Sequence, residues 1–122
     1  MVTLARGNAL IIGNYRGRRD IVRAFRYTEF HLSETTECFG GLKHIVDEAP
    51  SIVVVHQRRS LDTTWKVLRA VRCVTAAPIL LVGRGNGQSL TPALQYGADG
   101  YLTRTQDPAT FLAYVHALLS KN

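Results

Sequence analysis

Short apolar runs alternate with helix-spaced apolar positions from one end of the chain to the other. The run Ile52-Val53-Val54-Val55 is β-branched throughout, and a strand that is apolar on both faces is typical of a buried parallel sheet. Between such runs, apolar residues recur three, four or seven positions apart, which is the spacing of one helix face. The pattern predicts five strands in strict alternation with five helices. The strands are expected at residues 9–12, 30–32, 52–55, 78–82 and 100–102, and the helices at 18–27, 38–46, 61–72, 90–97 and 108–119.

Proline and capping residues indicate where two of these helices begin or end, and the spacing of apolar residues indicates which side chains are buried. Pro50 ends the second helix, and Asp107-Pro108 opens the fifth as its N-cap and first helical residue. The side chains expected to face the sheet are Cys38, Phe39, Leu42, Ile45 and Val46 in the second helix, Leu61, Trp65, Leu68 and Val71 (or Arg72) in the third, Leu90, Ala93 and Leu94 in the fourth, and Phe111, Leu112, Val115, Leu118 and Leu119 in the fifth.

Strict alternation of strand and helix requires a parallel sheet with helices on both faces, which is an α/β architecture. In such sheets, ligands bind outside the carboxyl ends of the strands. The loops that could carry chemistry are therefore residues 13–19, 56–61, 83–88 and 103–107. The glycine-rich start of the third loop, Gly83-Arg84-Gly85-Asn86-Gly87, lacks the Gly-Lys-Ser/Thr ending of a Walker motif. Gln88 stands where the dinucleotide-binding fingerprint has its third glycine, so we interpret the stretch as a flexible turn.

Length and composition narrow the class of protein. The 122 residues suit one domain spanning 1–122, and 46% hydrophobic residues exclude a disordered chain. No apolar run approaches the roughly 20 residues that span a bilayer, and the first residues do not resemble a signal peptide. We therefore expect a cytoplasmic protein without a membrane segment. Cys38 and Cys73 are expected to be reduced thiols in or near the core.

The charge balance points to an anionic partner. The chain has 15 Lys+Arg against 9 Asp+Glu, a net charge of +6, and twelve of the fifteen cations are arginine. Such a balance favours nucleic acid, a nucleotide or an acidic protein face as a partner. The arginines that fall in the four loops named above are Arg16, Arg18, Arg19, Arg58, Arg59, Arg84 and Arg104.

Residues 97–105 are Gly-Ala-Asp-Gly-Tyr-Leu-Thr-Arg-Thr. They resemble the Gly-Ala-Asp-x-Tyr-Leu-x-Lys-Pro signature of the receiver domain of bacterial two-component response regulators. Residues 78–82 resemble the family's fourth strand, and residues 47–55 resemble the approach to its phosphorylation site. The resemblance covers essentially the whole length. It implies a flavodoxin-like (βα)5 fold, a three-layer α/β/α sandwich with strand order 2-1-3-4-5.

The family's chemistry requires an acidic pair for Mg²⁺, a phosphoacceptor Asp, a Thr or Ser, and a Lys. Carboxylates serve there because Mg²⁺ prefers hard oxygen ligands and a carboxylate is also the nucleophile. The matching positions in this chain are Gly13 and Asn14, His56, Gly83 and Arg104. At an effective dielectric of about 20, each charge pair at ~4 Å is worth roughly 4 kcal/mol, so the loop arginines would exclude a divalent cation. We expect no metal, no cofactor, no catalytic residue and no phosphoryl transfer.

The expected role is therefore that of a pseudo-receiver, a non-enzymatic protein-interaction or dimerisation module in signalling or transcriptional regulation. Tyr101 matches the family's aromatic switch residue. Because Gly83 replaces the Thr or Ser, we expect the Tyr101 ring to be fixed, either inward or outward. The partner face would be the fourth helix, fifth strand and fifth helix. His56 is interpreted as a packed or hydrogen-bonded residue rather than a ligand.

Two alternatives remain open. The loop arginines could form a crevice that senses a nucleotide or another phosphorylated small molecule, because arginines beside helix N-termini favour anions. Direct binding of nucleic acid is the weaker alternative, since the chain has neither a polar recognition helix nor an aromatic stacking platform.

Overall fold

The computed structural model describes residues 7–13, 15–26, 28, 30–83, 90–103 and 107–120; for residues 15–18, 20 and 90 it describes the backbone alone. Five strands alternate with five helices, as the hydrophobic pattern predicts. The strands are β1 (Gly7–Ile12), β2 (Phe30–Thr35), β3 (Ile52–His56), β4 (Ile79–Gly83) and β5 (Gly100–Thr103). The helices are α1 (Tyr15–Phe25), α2 (Cys38–Glu48), α3 (Leu61–Val74), α4 (Leu90–Gln95) and α5 (Pro108–Ser120).

The five strands form one parallel sheet in the order β2-β1-β3-β4-β5. The predicted flavodoxin-like α/β fold and its strand order are thereby confirmed. The register runs from Thr35 to Ile12, then to Val55, Leu81 and Tyr101, so one row of residues crosses all five strands. This row lies near the carboxyl edge of the sheet and places the loops that follow β1, β3 and β4 beside one another.

Both faces of the sheet are apolar, and each is covered by helices. Successive side chains of a strand point to opposite faces, so each continuous apolar run supplies both. Helices α1 and α5 cover one face over the buried residues Ala9, Ile11, Ile21, Ala24, Phe25, Ile52, Val54, Leu80, Val82, Phe111, Val115 and Leu118. Helices α2, α3 and α4 cover the other over Leu10, Ile12, Ile45, Val53, Val55, Val67, Leu68, Val71, Ile79, Leu81, Ala93 and Ala98.

The predicted apolar face of α2 is wrong at two positions. Phe39 is 82% exposed and Val46 is 69% exposed, whereas Gly41 and Ile45 are buried. The reason is a close approach of the helix to the sheet: a Cβ added at Gly41 would lie 2.6 Å from Cδ1 of Ile12. The helix therefore turns its glycine side to the sheet and leaves the flank with Phe39 and Val46 outside.

The predicted faces of α3 and α4 are also corrected in part. Leu61 is 43% exposed and Leu94 is 48% exposed. Cys73, expected in or near the core, is exposed. Helix α3 instead buries Thr64 and Val67 beside the predicted Leu68 and Val71.

The hydrogen bonds of Thr64 and the stacking of Trp65 explain why the buried face of α3 differs from the predicted one. The hydroxyl of Thr64 donates to the Ser60 carbonyl at 3.0 Å and accepts from the Arg58 N–H at 2.9 Å, so its burial leaves no polar atom unsatisfied. Trp65 is half-buried and stacks on Tyr96 with ring centroids 5.4 Å apart and planes 6° from parallel. The flank of α3 that carries Trp65 therefore faces the segment that follows α4.

Arg72 joins α3 to the loops at the amino edge of the sheet. Its guanidinium donates to the carbonyls of Thr75, Ala77 and Gly97 and to Oδ2 of Asp99, the last at 3.0 Å. The same Asp99 oxygen accepts the first backbone N–H of β4, from Ile79, at 2.8 Å. One carboxylate and one guanidinium thus connect α3, β4 and the loop before β5. The Gly-Ala-Asp stretch that resembles the receiver signature has a structural role here.

Helix α5 begins and packs as predicted. Oδ1 of Asp107 accepts the Thr110 N–H at 2.8 Å, and Oδ2 accepts the Thr110 hydroxyl at 3.0 Å. Phe111, Val115 and Leu118 are buried. None of the helices in the described part of the chain has the length and apolar content needed to cross a bilayer.

The Asp107 cap leads to a prediction about pH. The hydrogen bond from the Thr110 N–H, followed by that from its hydroxyl, holds the pKa of Asp107 below the ordinary 3.8. A lowered carboxyl pKa contributes stability above the ordinary pKa, and this contribution is lost as the pH falls through the folded value. We expect Asp107→Ala to be less stable than the wild type at neutral pH, and the difference to shrink in urea unfolding below a pH of about 3.8.

Glu37 provides a matched control for this experiment. It is the acidic N-cap residue of α2, but its side chain makes no capping hydrogen bond. Glu37→Ala is therefore expected to change the unfolding midpoint little at any pH. If the two variants behave alike across the acidic range, general surface charge explains the effect and the Asp107 cap does not.

Candidate functional site at the carboxyl edge of the sheet

Three of the positions that match the receiver phosphorylation site lie at the neighbouring ends of β1, β3 and β4. Gly13 follows β1 and is buried, and its N–H donates to the Thr35 carbonyl at 2.9 Å. His56 ends β3 and Gly83 ends β4. Asn14 lies outside the described residues, as does Arg104. The fold thus brings together three of the five predicted positions, and none of these three residues has a side-chain oxygen that could bind a metal.

His56 is enclosed by the fold. Its exposure is 2%, and it pairs in register with Val82 of the neighbouring strand. By strand alternation its side chain lies on the same face as those of Ile52 and Val54, which is the side covered by α1 and α5. The residue is therefore part of the interior at the end of the central strand. Among the residues described, no three His, Cys, Asp or Glu side chains are grouped so that they could hold a metal ion.

Gly83 and Tyr101 are in direct contact. A Cβ built on Gly83 would lie 2.3 Å from both Cε2 and Oη of the Tyr101 ring. Tyr101 is half-buried and packs against the core on the side of α2, α3 and α4. The ring thus occupies the space that a side chain at position 83 would need. Of the two orientations that the sequence leaves open, the structure has the ring inward, over Gly83.

Of the seven loop arginines, the structure describes the side chains of three, Arg19, Arg58 and Arg59. Arg58 is engaged, because its Nη2 donates to the Thr36 carbonyl at 2.5 Å and ties the β3–α3 loop to the β2–α2 loop. Arg19 and Arg59 are exposed. Arg16 and Arg18 lie in α1, where only their backbone is described. Arg84 and Arg104 fall outside the described residues.

Sequence reasoning missed the scaffold that holds the loop after β3. The Ser60 side chain accepts the Thr63 N–H at 3.3 Å as the N-cap of α3, and Thr64 binds the backbone of Arg58. A Ser placed directly before a helix is a recognisable cap signal, so Ser60 could have been found. The Arg58 contact to Thr36 spans 22 residues and has no local signal.

Cys38 lies close to this scaffold at the start of α2. Burial raises the pKa of the Cys38 thiol above its ordinary 9.0, and the positive charge of Arg58 partly opposes this. The thiol therefore stays protonated at neutral pH. This favours a packing role for Cys38, because the thiolate is the reactive form.

Strand order, helix placement and the convergence of β1, β3 and β4 together define the receiver-domain fold of two-component response regulators. Three solved structures illustrate the likeness. A LuxR-family two-component response regulator from Aurantimonas sp. SI85-9A1 has a TM-score of 0.78 at 21% identity, over 95% of this chain and 86% of that one. A two-component response regulator from Clostridium difficile has a TM-score of 0.80 at 21% identity, over 93% and 94%.

The third structure is a CheY-like receiver domain protein from Methanospirillum hungatei JF-1, with a TM-score of 0.80 at 14% identity, over 93% of this chain and 94% of that one. Neither a protein-family model nor the sequence of a curated protein matches the chain. Likeness at these identities establishes the fold. The activity of this chain has to be argued from its own residues.

Proposed function

We propose that this chain is a pseudo-receiver, a non-enzymatic module that does not accept a phosphoryl group and that acts in signal transduction through constitutive protein–protein contact. The observation that carries the proposal is His56, buried to 2% exposure at the end of β3, where the resemblance puts the phosphoacceptor carboxylate. An enclosed imidazole offers neither a carboxylate nucleophile nor a metal-ligating oxygen. Gly13 and Gly83 beside it have no side chain to supply one.

The contact between Tyr101 and Gly83 supports constitutive rather than switched behaviour. In the receiver family, as the resemblance implies, the aromatic ring moves in response to the Thr or Ser that meets the phosphoryl group. Gly83 has no hydroxyl and no Cβ, so no side chain at this position can move or displace the ring. The surface that includes Tyr101 is therefore expected to keep one form.

The composition of α5 favours that surface as the contact face. Pro108–Ser120 contains no Asp, Glu, Lys or Arg, in a chain that is 20% charged. Ala109, Ala113 and Ala117 are exposed on it, and Leu94 on α4 is 48% exposed. Depletion of charge is characteristic of interface centres. The proposed partner at the face of α4, β5 and α5 is another protein or a second copy of this chain.

The phosphorylation prediction is tested by intact-mass measurement after incubation with acetyl phosphate and Mg²⁺. We expect the mass to remain unchanged, because the described end of the sheet supplies no carboxylate where the acceptor should be. A phosphorylatable receiver treated in parallel provides the positive control for donor and metal. A mass gain of one phosphoryl group, mapped to any Asp, Glu or His of this chain, would contradict the proposal.

The anion-sensing alternative has weaker support. Of the arginines that it requires, Arg58 is already bonded to Thr36, and Arg19 and Arg59 are exposed. An anion site of high affinity requires several guanidinium groups to converge in a protected place. The three arginine side chains that the structure describes supply no such convergence.

A further inference from the structure

The outer flank of α2 is apolar and exposed. Phe39 and Val46 are 82% and 69% exposed, and they are seven residues apart, which places them on one line of the helix two turns apart. Leu42, at the intermediate i+3 position, is half-buried and continues the line toward the core. A helix with this second stripe has more apolar surface than its packing on the sheet requires.

The direction of this stripe follows from the two glycines of α2. A Cβ at Gly41 would meet Ile12 of β1 at 2.6 Å, and one at Gly40 would meet Oγ1 of Thr35 in β2 at 3.1 Å. The glycine flank therefore faces β1 and the edge strand β2. At about 100° per residue, Leu42, Val46 and Phe39 lie on the opposite flank. That flank is turned toward α3, which packs against α2.

Helix α3 also has an apolar flank, and this flank faces α2. Because Trp65 stacks on Tyr96, its side of α3 faces α4. Ala70 and Val74 lie on the other side of the helical wheel, toward α2. Val74 is 40% exposed, and Ala70 is half-buried. We call the surface formed by Phe39, Leu42, Val46, Ala70 and Val74 the α2–α3 groove.

Charge is distributed unevenly around the α2–α3 groove. Lys43 is exposed and follows Phe39 by one turn, so it borders the groove. The acidic residues near α2, which are Glu37, Asp47 and Glu48, fall on the flank turned toward β2. At the end of the groove where α2 and α3 begin, Arg58 donates a hydrogen bond to the Thr36 carbonyl and so joins the segments that precede the two helices. The border of the groove is therefore cationic, which favours an acidic occupant.

We propose that the α2–α3 groove docks an amphipathic helix of a partner protein, with apolar residues at i, i+3 or i+4 and i+7 and with acidic residues beside them. The two-turn spacing of Phe39 and Val46 matches the anchor spacing of such a helix. Phe39, Val46 and Val74 together expose roughly 300 Å², well below the ~800 Å² per partner of a stable interface. This small apolar area disfavours a second copy of the chain and fits a weak, reversible contact with a single helix. The proposal goes beyond the pseudo-receiver function and does not depend on the α4–β5–α5 face.

The test uses two synthetic helical peptides of about 18 residues, long enough to be helical in part. Both carry the same leucine stripe; one has glutamate and the other lysine at the flanking positions. Binding to the full chain is followed by NMR. With the glutamate peptide, we expect the amide signals of Leu42, Val46, Ala70 and Val74 to shift. The lysine peptide should bind at least tenfold more weakly, a loss of about 1.4 kcal/mol.

Two variants distinguish binding in the α2–α3 groove from nonspecific binding to exposed apolar side chains. Phe39→Ser combined with Val46→Ser should weaken the glutamate peptide about tenfold or more, with the fold retained because both side chains are exposed. Leu94→Ser removes an exposed apolar side chain from α4 and should leave the affinity unchanged. The proposal is overturned if the two peptides bind equally, if the shifts map to another face, or if the groove signals shift with protein concentration alone. None of these outcomes bears on whether the chain is phosphorylated.

Discussion

Replacing Arg72 with alanine is expected to lower the free energy of unfolding by about 3 kcal/mol. The guanidinium donates to three backbone carbonyls, those of Thr75, Ala77 and Gly97, and to the carboxylate of Asp99. Most of the loss in unfolding free energy comes from the three carbonyls, because each loses its hydrogen-bond donor in a half-buried environment. The ion pair itself adds only about 1 kcal/mol or less, because the side chains of Arg72 and Asp99 remain 30% and 43% exposed.

Two further variants test the cause of this loss, and the stability of each is measured by denaturant unfolding. Arg72→Lys should recover little of the loss, because an ammonium cannot reach acceptors in several directions as the planar guanidinium does. Arg69→Ala is the matched control: Arg69 lies in the same helix but is exposed and only approaches the Tyr96 ring, at 5.9 Å. Its loss should stay below about 1 kcal/mol. Equal stability of Arg72→Ala and Arg69→Ala would show that the Arg72 contacts are not structural.

Introducing a threonine at Gly83 is expected to destabilise the protein by about 2–3 kcal/mol and to move the Tyr101 ring. A Cβ at this position would lie 2.3 Å from two atoms of the ring, a distance that non-bonded atoms cannot adopt. Either the ring swings away and loses its packing, or the ends of β4 and β5 separate. The ring signals of Tyr101 in NMR spectra report the displacement directly, and denaturant unfolding reports its energetic effect.

A double-mutant cycle isolates the contact. In a Tyr101→Ala background, Gly83→Thr should cost at least about 1 kcal/mol less than it does in the wild type, because the obstructing ring is absent. Gly40→Ala is a matched glycine control, since its Cβ would meet only Oγ1 of Thr35, at 3.1 Å. Helix propensity should make that change neutral or mildly stabilising. Additive effects of the Gly83 and Tyr101 substitutions would mean that the two residues are not coupled.

The local pattern of apolar and capping residues was sufficient to predict the strands and helices of this fold. The β-branched run at 52–55 and the apolar run at 78–82 are strands, because short runs that are apolar at every position suit a strand buried on both faces. Asp107-Pro108 marked the start of α5 correctly, because an N-cap depends on neighbours within one turn. The order of the strands came from the resemblance of residues 97–105 to receiver domains, since periodicity carries no information on which strands are adjacent.

Helix faces were predicted less well where a glycine decided the packing. The apolar positions of α2 allow more than one buried face, and counting hydrophobic residues favoured the one with Phe39 and Val46. The close approach at Gly41 selected the other face. In α3, buried Thr64 has a hydroxyl that is satisfied by Ser60 and Arg58, so a polar residue occupies a core position. Neither outcome follows from the spacing of apolar residues alone.

The sequence by itself determined the chemical groups available at the strand ends: Gly13, His56 and Gly83 stand where the receiver resemblance requires oxygen-bearing side chains, and folding cannot supply an atom that the residues lack. Only the tertiary structure decided how those positions are filled and held. The Tyr101 ring lies over Gly83, 18 positions away by number, because β4 and β5 pair in parallel. Arg72 reaches acceptors 25 and 27 residues along the chain for the same reason. Contacts of this range depend on which elements become neighbours, and that is a property of the packed sheet and its helices.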